Sequence, residues 1–294
     1  MRMYAVTGAA SGMGAAVAAR LRSDGCRVIG VDRDGPPADW PDPWITADLS
    51  TPQGRRAAVD GVPAACDGAL DGLVLAAGLG PGVRREREIV EVNVLGATEL
   101  LDGLRPALAK RDGAKAVVFG SNSTTSTPLV PRRAIALLGR GETGRAAKIL
   151  ARRRALSGPL AYAASKIAVS RACRERAVSS EWAGSGIRLN VLAPGPVLTP
   201  LLQAQLDGET GKQVRSFPVP IGECGTADHL AEWVMLMLSP AADFMVGSVV
   251  TVDGGTEALL RPRDWPSRLP LRQMPRMLWT MYRAPARGQV ARYR

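Results

Sequence analysis

Short apolar runs alternate along this chain with longer stretches in which apolar residues recur every three or four positions, and glycine or proline marks most of the changes. Brief runs bounded by turn residues read as buried strands, and the periodic stretches read as helices packed against them. Residues 3–7 are the first such strand, and Gly8-Ala9-Ala10-Ser11-Gly12-Met13-Gly14 turns it into a helix running to about Ser23. Gly25 ends that helix, and 26–31 is a second strand closing on Asp32. A Pro- and Trp-rich loop over 35–44 leads to a short strand, 45–47, followed by Asp48-Leu49. Beyond it the pattern predicts a helix over 51–66, a strand over 72–76, one long helix over 88–110 carrying Asn93, and a strand over 114–119.

That fifth strand ends in the polar run Gly120-Ser121-Asn122-Ser123-Thr124-Thr125-Ser126. About 35 residues follow, 127–160, read as two short helices, Pro131–Leu138 and Arg145–Ala155, around Gly139-Arg140-Gly141. Next come a helix carrying Tyr162 and a strand over 187–192, then Ala193-Pro194-Gly195-Pro196, read as a rigid turn that cannot continue the strand. Residues 198–222, with Pro200, Pro218 and Pro220, read as a mixed loop long enough to act as a lid. Thr226 is placed as the cap of a helix through Leu238, and 248–252 as the last strand before Asp253-Gly254-Gly255.

This alternation predicts an α/β fold: a single Rossmann-type doubly wound parallel sheet of about seven strands with helices on both faces. The helical insertion precedes the Tyr162 helix, and a basic extension follows the last strand. The expected division is one domain over 1–260, including 127–160, and a Pro/Arg-rich tail over 261–294.

Charge changes the picture only once it is located. Residues 131–155 carry eight basic residues against Glu142, and 261–294 carry nine arginines against Asp264. These +7 and +8 blocks leave −4 for the rest of a chain whose total is +11. The run Arg152-Arg153-Arg154 reads most simply as a solvated face.

The inventory also excludes chemistry. His229 is the only histidine, which rules out a multi-His metal centre or a His-based triad. Cys26, Cys66, Cys173 and Cys224 have no paired spacing, so neither a zinc site nor a disulfide framework is expected. With no N-terminal targeting pattern and no apolar run near ~18 residues, the expectation is a soluble, cytoplasmic protein.

The remaining candidate for acid–base work is Tyr162 with Lys166, four apart and so on one helix face. An ammonium beside a phenol favours the phenolate and eases loss of its proton. Gly8, Gly12 and Gly14 allow close approach of backbone to a pyrophosphate at a helix N-terminus, although the spacing is not G-x-G-x-x-G. Asp32 lies 18 residues beyond Gly14, near the spacing at which a carboxylate binds ribose hydroxyls. A carboxylate there repels a 2′-phosphate, so NAD(H) is preferred, while the adjacent Arg33 leaves NADP(H) open. Asp48 and Leu49 are placed to flank an adenine edge, and Gly78 follows a strand end where a ribose needs room. Asn93 in mid-helix is read as a bend that binds a water. Between Ser121 and Ser123 the pattern does not choose, and His229, in a first helical turn, is read as structural.

Taken in order, Thr7-Gly8-Ala9-Ala10-Ser11-Gly12-Met13-Gly14, Asp32, Asp48-Leu49, Ala76-Ala77-Gly78, Asn93, Ser121, Tyr162 with Lys166, Pro194-Gly195 and Val252-Asp253-Gly254-Gly255 resemble the short-chain dehydrogenase/reductase family over roughly residues 3–260. The chain departs at Leu75-Ala76-Ala77-Gly78, where the family usually has Asn-Asn-Ala-Gly, which puts the rigidity of that turn in question. The long interval from Ser121 to Tyr162, with Leu160-Ala161-Tyr162-Ala163 and Pro200-Leu201-Leu202-Gln203-Ala204, resembles the branch of bacterial 3α-hydroxysteroid dehydrogenases/carbonyl reductases.

The resemblance implies hydride transfer between a nicotinamide and a secondary alcohol or ketone. It implies Tyr162 as general acid–base, Lys166 lowering its pKa and binding the nicotinamide ribose, and Ser121 holding the substrate oxygen. It also implies Asn93 anchoring a relay water, with Pro194, Gly195, Val197 and Thr199 along the carboxamide. For the dinucleotide as a whole the expected set is Gly8, Ser11, Gly12, Met13, Gly14, Asp32, Asp48, Leu49, Ala77, Gly78, Tyr162, Lys166, Pro194, Gly195, Val197 and Thr199. A small hydrophobic alcohol or ketone is the expected substrate, with steroid, terpenoid, dihydrodiol and aromatic ketone all open, and a homo-oligomer, dimer or tetramer, the expected assembly.

Two rivals come from other classes: a nucleotide-binding regulator without turnover, which the intact Ser121, Tyr162 and Lys166 set opposes, and a protein of nucleic acid or membrane surfaces, suggested by the basic blocks. No specific nucleic-acid partner is expected. Pro262, Pro266, Pro270 and Pro275 break the tail, leaving a short helix near Arg276–Tyr282. Contact of that helix with an anionic membrane is one reading; a partly disordered extension, or one packed along a neighbouring subunit, is preferred.

Overall fold

In the computed structural model, which describes residues 1–81, 85–207, 211, 215–264, 270–287 and 289, the strand side chains point alternately to two covered faces of one sheet. Along β1 (Met3–Thr7), Ala5 joins one apolar cluster and Tyr4 and Val6 the other. The same alternation holds in β4 (Gly72–Leu75), where Leu73 and Leu75 face away from Val74, and in β5 (Lys115–Phe119), where Ala116 and Val118 face away from Val117 and Phe119. Strands buried on both faces are what a parallel sheet between helical layers requires.

With β2 (Arg27–Asp32), β3 (Trp44–Thr46), β6 (Arg188–Pro194) and β9 (Val249–Val252) the main sheet has seven strands, all parallel, in the order β3-β2-β1-β4-β5-β6-β9. The order reverses between β1 and β4, and such a switch point leaves a crevice at the carboxyl ends of the strands. One cluster holds side chains of α2 (Pro52–Ala65), α4 (Gly96–Leu108) and α8 (Ser157–Ala177). The other holds those of α1 (Gly12–Ser23) and α10 (Ala227–Leu238). The expected doubly wound α/β architecture of about seven strands is the one observed.

Several boundaries differ from the sequence reading, each for a local reason. The stretch expected as one helix over 88–110 is α3 (Glu86–Val90), a π turn (Glu91–Leu95) and α4. β6 continues through Pro194, because only the missing N–H of proline is lost there: the Pro194 carbonyl accepts from Asn122 N at 2.9 Å, and Gly195 N donates to Val252 O at 3.0 Å. The stretch expected as loop over 198–222 contains β7 (Val197–Leu198) at its start and then α9 (Pro200–Asp207), whose proline sits at its first position. β7 pairs with β8 (Gly225–Thr226), while residues 208–210 and 212–214 of the expected lid lie outside the described residues.

The insertion comprises the short α5 (Ser123–Ser126), then α6 (Arg132–Leu138) and α7 (Thr143–Ala151). The second insertion helix stops at Ala151 rather than Ala155, and a single 3₁₀ turn, Arg154–Leu156, joins it to α8. Ala134, Ile135, Leu137, Leu138, Ala146 and Leu150 bury against Ile89, Val94, Leu160 and Ala164, forming a third cluster on the main body. Past β9 come α11 (Thr256–Leu260) and, in the tail, α12 (Met274–Arg283); 265–269 and 290–294 lie outside the described residues.

Candidate active site

The turn from β1 to α1 is built from contacts that only glycine permits. Gly8 has φ +71°, and a Cβ there would lie 2.9 Å from Ala77 N; a Cβ on Gly14 would lie 2.1 Å from Gly8 O. Ser11 stands before α1 with extended backbone (φ −154°), and its hydroxyl makes no capping bond. An uncapped hydroxyl beside the free N–H groups of a twelve-residue helix is a donor set suited to an anion. Asp32, at the end of β2, accepts from Ala10 N at 3.0 Å and from Asp34 N at 3.2 Å, one backbone donor on each oxygen. The exposed Arg33 is 3.7 Å from Asp34. Asp48 accepts from Ser50 N at 2.9 Å and so shapes the turn into α2.

The turn after β4 is held by side chains from elsewhere, which answers the question raised by its departure from Asn-Asn-Ala-Gly. Ala77 N donates to Thr7 Oγ1 at 3.1 Å, and Leu79 N donates to Asn93 Oδ1 at 2.8 Å. Asn93, buried in the π turn, also donates from Nδ2 to Leu79 O at 3.0 Å and to Ser165 Oγ at 3.1 Å. Ser165 donates in turn to the Tyr162 carbonyl at 2.7 Å. A Cβ on Gly78 would come 3.2 Å from Asn93 Oδ1 and 3.5 Å from Lys166 Nζ, so glycine is what lets these groups gather.

Helix α8 presents Tyr162 and Lys166 on one face, as their spacing predicts. Lys166 Nζ donates to Phe119 O, at the end of β5, at 2.8 Å and lies 5.8 Å from the centroid of the Tyr162 ring. Burial pulls the Lys166 ammonium down to about 8. Burial pushes the Tyr162 phenol up, against the lowering effect of its hydrogen bond with Ser121. The expected lowering of the phenol is therefore reversed in the protein by itself, because removal from water outweighs the hydrogen bond.

Ser121 Oγ also accepts from Ser123 N at 3.1 Å, whereas Ser123 Oγ is buried without a partner among the described residues. Of the two candidate hydroxyls, Ser121 is the one beside Tyr162. Its neighbour Asn122 donates to Asp253 Oδ2 at 3.2 Å, and Asp253 also accepts from Gly255 N and Glu257 N, which ties the end of β5 to the end of β9.

These parts meet in one cavity of about 390 Å³ at the switch point. Every residue expected from the sequence to touch the dinucleotide, from Gly8 through Asp32, Lys166 and Thr199, lies on its wall. Ser121 and Asn93 do not; Ser121 lies beside the Tyr162 phenol, and the Asn93 side chain turns inward to Leu79 and Ser165. Sequence reasoning missed wall residues Glu88, Val92, Phe119 and Leu202. Glu88 and Val92 are four apart on a helical stretch, a signal that could have placed them together. The Thr7 hydroxyl, the Phe119 carbonyl and Ser165 were also missed; they act through tertiary contacts that no local pattern reports.

A second hollow, of about 490 Å³, is lined by the apolar Ile221, Trp233 and Leu236 together with Glu223, His229 and Glu232. His229 is structural, as expected: Thr226 Oγ1 accepts from His229 N at 3.1 Å, and His229 Nδ1 accepts from Thr226 N at 3.4 Å, a capping box at the start of α10. Among the described residues no group of His, Cys, Asp and Glu has the arrangement of a metal site. The four cysteines are unpaired, three of them buried.

Residues 2–131 match the family described as short chain dehydrogenase, and 121–257 that described as enoyl-(acyl carrier protein) reductase. The chain is 38% identical over 267 residues to 3-alpha-hydroxysteroid dehydrogenase/carbonyl reductase of Comamonas testosteroni, covering 90% of this chain and 100% of that protein. It is 30% identical to cis-4-hydroxycyclohexanecarboxylate dehydrogenase of Sinomonas cyclohexanicum, over 88% of this chain and 97% of that one. Among solved structures, the NADH complex of 3-alpha-hydroxysteroid dehydrogenase from Pseudomonas sp. B-0831 superposes with a TM-score of 0.81 at 42% identity, covering 89% of this chain and 99% of that one.

Proposed function

We propose a specific reaction for this chain, which belongs to the short-chain dehydrogenase/reductase family: reversible hydride transfer between NAD(H) and a cyclic secondary alcohol or its ketone, with 3α-hydroxysteroids as the leading substrate class. The observation that carries the reading is the convergence, in one cavity, of the glycine-rich turn, the Asp32 carboxylate and the Tyr162/Lys166 pair.

The residues present fit a nicotinamide dinucleotide. Ser11 and the start of α1 would hold the pyrophosphate. Asp32 would bind the adenosine ribose, with Asp48 and Leu49 at the adenine and Ala77 and Gly78 along the chain. Pro194, Gly195, Val197 and Thr199 would line the carboxamide. Asp32 disfavours a 2′-phosphate, and Arg33 is already beside Asp34, so NAD(H) is preferred over NADP(H). When bound, the nicotinamide supplies the hydride and, oxidised, a positive charge beside the phenol.

Tyr162 passes a proton to the substrate oxygen in reduction and takes it in oxidation. The phenol carries its proton at neutral pH, available for carbonyl reduction, while burial disfavours the phenolate that oxidation needs, an effect the positive charge of an oxidised nicotinamide would offset. Lys166, fixed at Phe119 O, places its cation by the Tyr162 ring and would bind the nicotinamide ribose. Ser121 steadies the oxygen as charge develops on it. The Asn93 side chain is committed to Leu79 and Ser165, so a relay water at this turn would have to be held by main-chain groups instead.

The third apolar cluster supports a bulky apolar substrate. Leu79 and Tyr162 both pack against it, so the insertion helices back the wall on which the substrate rests. We assign 1–260 to this catalytic domain and 261–294 to an extension, in a cytoplasmic homo-oligomer, dimer or tetramer. Exposed Trp233, Leu236 and Phe244 offer an apolar face for a second copy.

The deciding experiment follows NADH oxidation with a panel of 3-ketosteroids, cyclic ketones and acyclic ketones. Turnover of the steroids above the others, lost in Tyr162→Phe with NADH binding kept, is expected. NADH binding without turnover of any ketone would point instead to a regulator that keeps the nucleotide site.

A further inference from the structure

The two basic segments use their apolar residues in opposite ways. In the insertion the apolar face is spent: Ile135, Leu137, Leu138 and Leu150 are buried, while Arg132, Arg133, Lys148 and Arg152–Arg154 point to water and Glu142 pairs with Arg140 and Arg145. In the tail it is not. Every residue of α12 is exposed, including Met277, Leu278, Trp279, Met281 and Tyr282.

At about 100° per residue, Met274, Met277, Leu278, Met281 and Tyr282 share one broad face of α12, and Arg276, Thr280 and Arg283 the other. Trp279 stands at the boundary, its ring 6.0 Å from Tyr282 and 5.2 Å from the Arg283 guanidinium. Aromatic rings with one apolar and one wet side, next to cations that reach past them, are the anchors used at a membrane interface. The helix has ten residues, about 15 Å, and no described helix is long and apolar enough to cross a bilayer. The charge pattern fixes the orientation: the tail carries +8 while the chain outside the two basic blocks carries −4. An anionic surface therefore attracts the protein by its basic segments; the tail offers a cluster of apolar side chains to insert, whereas the insertion exposes only Leu129 and Leu156 among its large apolar residues.

We propose that the apolar face of α12 docks on an anionic phospholipid surface, lying in its plane with Arg276 and Arg283 at the headgroups. The competing occupant is a second copy of the chain, whose body carries −4, and the oligomeric mass of a variant altered on this face distinguishes the two.

The test is co-sedimentation of the full chain with neutral phosphatidylcholine vesicles and with vesicles containing phosphatidylglycerol. The expected result is pelleting with the anionic vesicles alone, weakened by salt, and reduced at least tenfold in a Leu278→Glu/Met281→Glu variant whose melting temperature is unchanged. Arg152→Gln/Arg153→Gln/Arg154→Gln retains binding. Equal pelleting with both vesicle types, binding that survives the α12 substitutions, or binding abolished by the insertion substitutions would overturn the proposal. So would a Leu278→Glu/Met281→Glu variant that changes the oligomeric mass, or binding to RNA of the same salt dependence without binding to vesicles.

Discussion

Asn93 and Ser165 lie 72 residues apart in the chain and meet in a 3.1 Å hydrogen bond, from which Ser165 reaches on to the Tyr162 carbonyl at 2.7 Å. The π turn, the loop after β4 and the Tyr162 helix are thus joined through two buried side chains. Truncating Asn93 leaves the Leu79 N–H and carbonyl without their partner, which costs about 1–3 kcal/mol. We expect Asn93→Ala to lower Tm and kcat together, and Ser165→Ala to reduce kcat while the Kd for NADH holds within about twofold. Ser165→Thr keeps the hydroxyl and should restore kcat. Loss of NADH binding in Ser165→Ala would mean that this serine supports the nucleotide site as a whole.

Tyr162→Phe removes the hydroxyl proposed for proton transfer and leaves the ring packed against the third cluster. A fall in kcat of about 10²–10⁴, with Tm within a degree or two, is the expected outcome. Steady-state assay beside a thermal melt checks both, and near-normal turnover would remove Tyr162 from the acid–base role.

Lys166 carries a burial penalty that pH can relieve. Below about 8 the native and unfolded forms are both protonated, and the full penalty of a buried cation is present. Between about 8 and its ordinary value of 10.5 the native state releases the proton while the unfolded state keeps it, so stability rises with pH. Lys166→Met has no such group. The stability of wild type relative to Lys166→Met should therefore climb by up to about 3 kcal/mol from pH 8 to 10.5. Denaturant midpoints of both proteins across this range provide the measurement, and a flat difference would mean that Lys166 is not desolvated. Activity should be lost in the variant throughout.

Asp32 holds two backbone N–H groups and faces the cavity. Asp32→Ala removes the charge that disfavours a 2′-phosphate and leaves Arg33 nearby. The ratio of kcat/KM for NADH to that for NADPH should fall at least tenfold, about 1.4 kcal/mol. An unchanged ratio would place cofactor choice elsewhere on the wall.

Gly14→Ala would set a Cβ 2.1 Å from Gly8 O, and neither backbone has room to withdraw. Overpacking of this kind costs about 1–3 kcal/mol or more. A drop in Tm of several degrees and weakened NADH binding are expected. A normal melt with normal binding would show that the turn and α1 are not as tightly joined as the close approach implies.

The sequence by itself determined the strand–helix alternation, because period-2 burial and 3.6-residue periodicity are local and each element here is long enough to show one or the other. It also located Gly8, Asp32, Tyr162 and Lys166, whose chemistry depends on residue type and short spacing. The tertiary structure alone decided which groups complete them. Lys166 is tied to the Phe119 carbonyl, and Thr7 and Asn93 stiffen a turn whose own residues do not, whereas Ser121 in place of Ser123 was already implied by the family resemblance. The direction of the Tyr162 shift was hidden for the same reason: spacing reports the neighbouring lysine, but desolvation depends on how much protein closes over the ring. The opposite fates of the two basic segments show it again, since both have apolar residues at helical spacing and only the fold determines that the insertion has a core to bury them in.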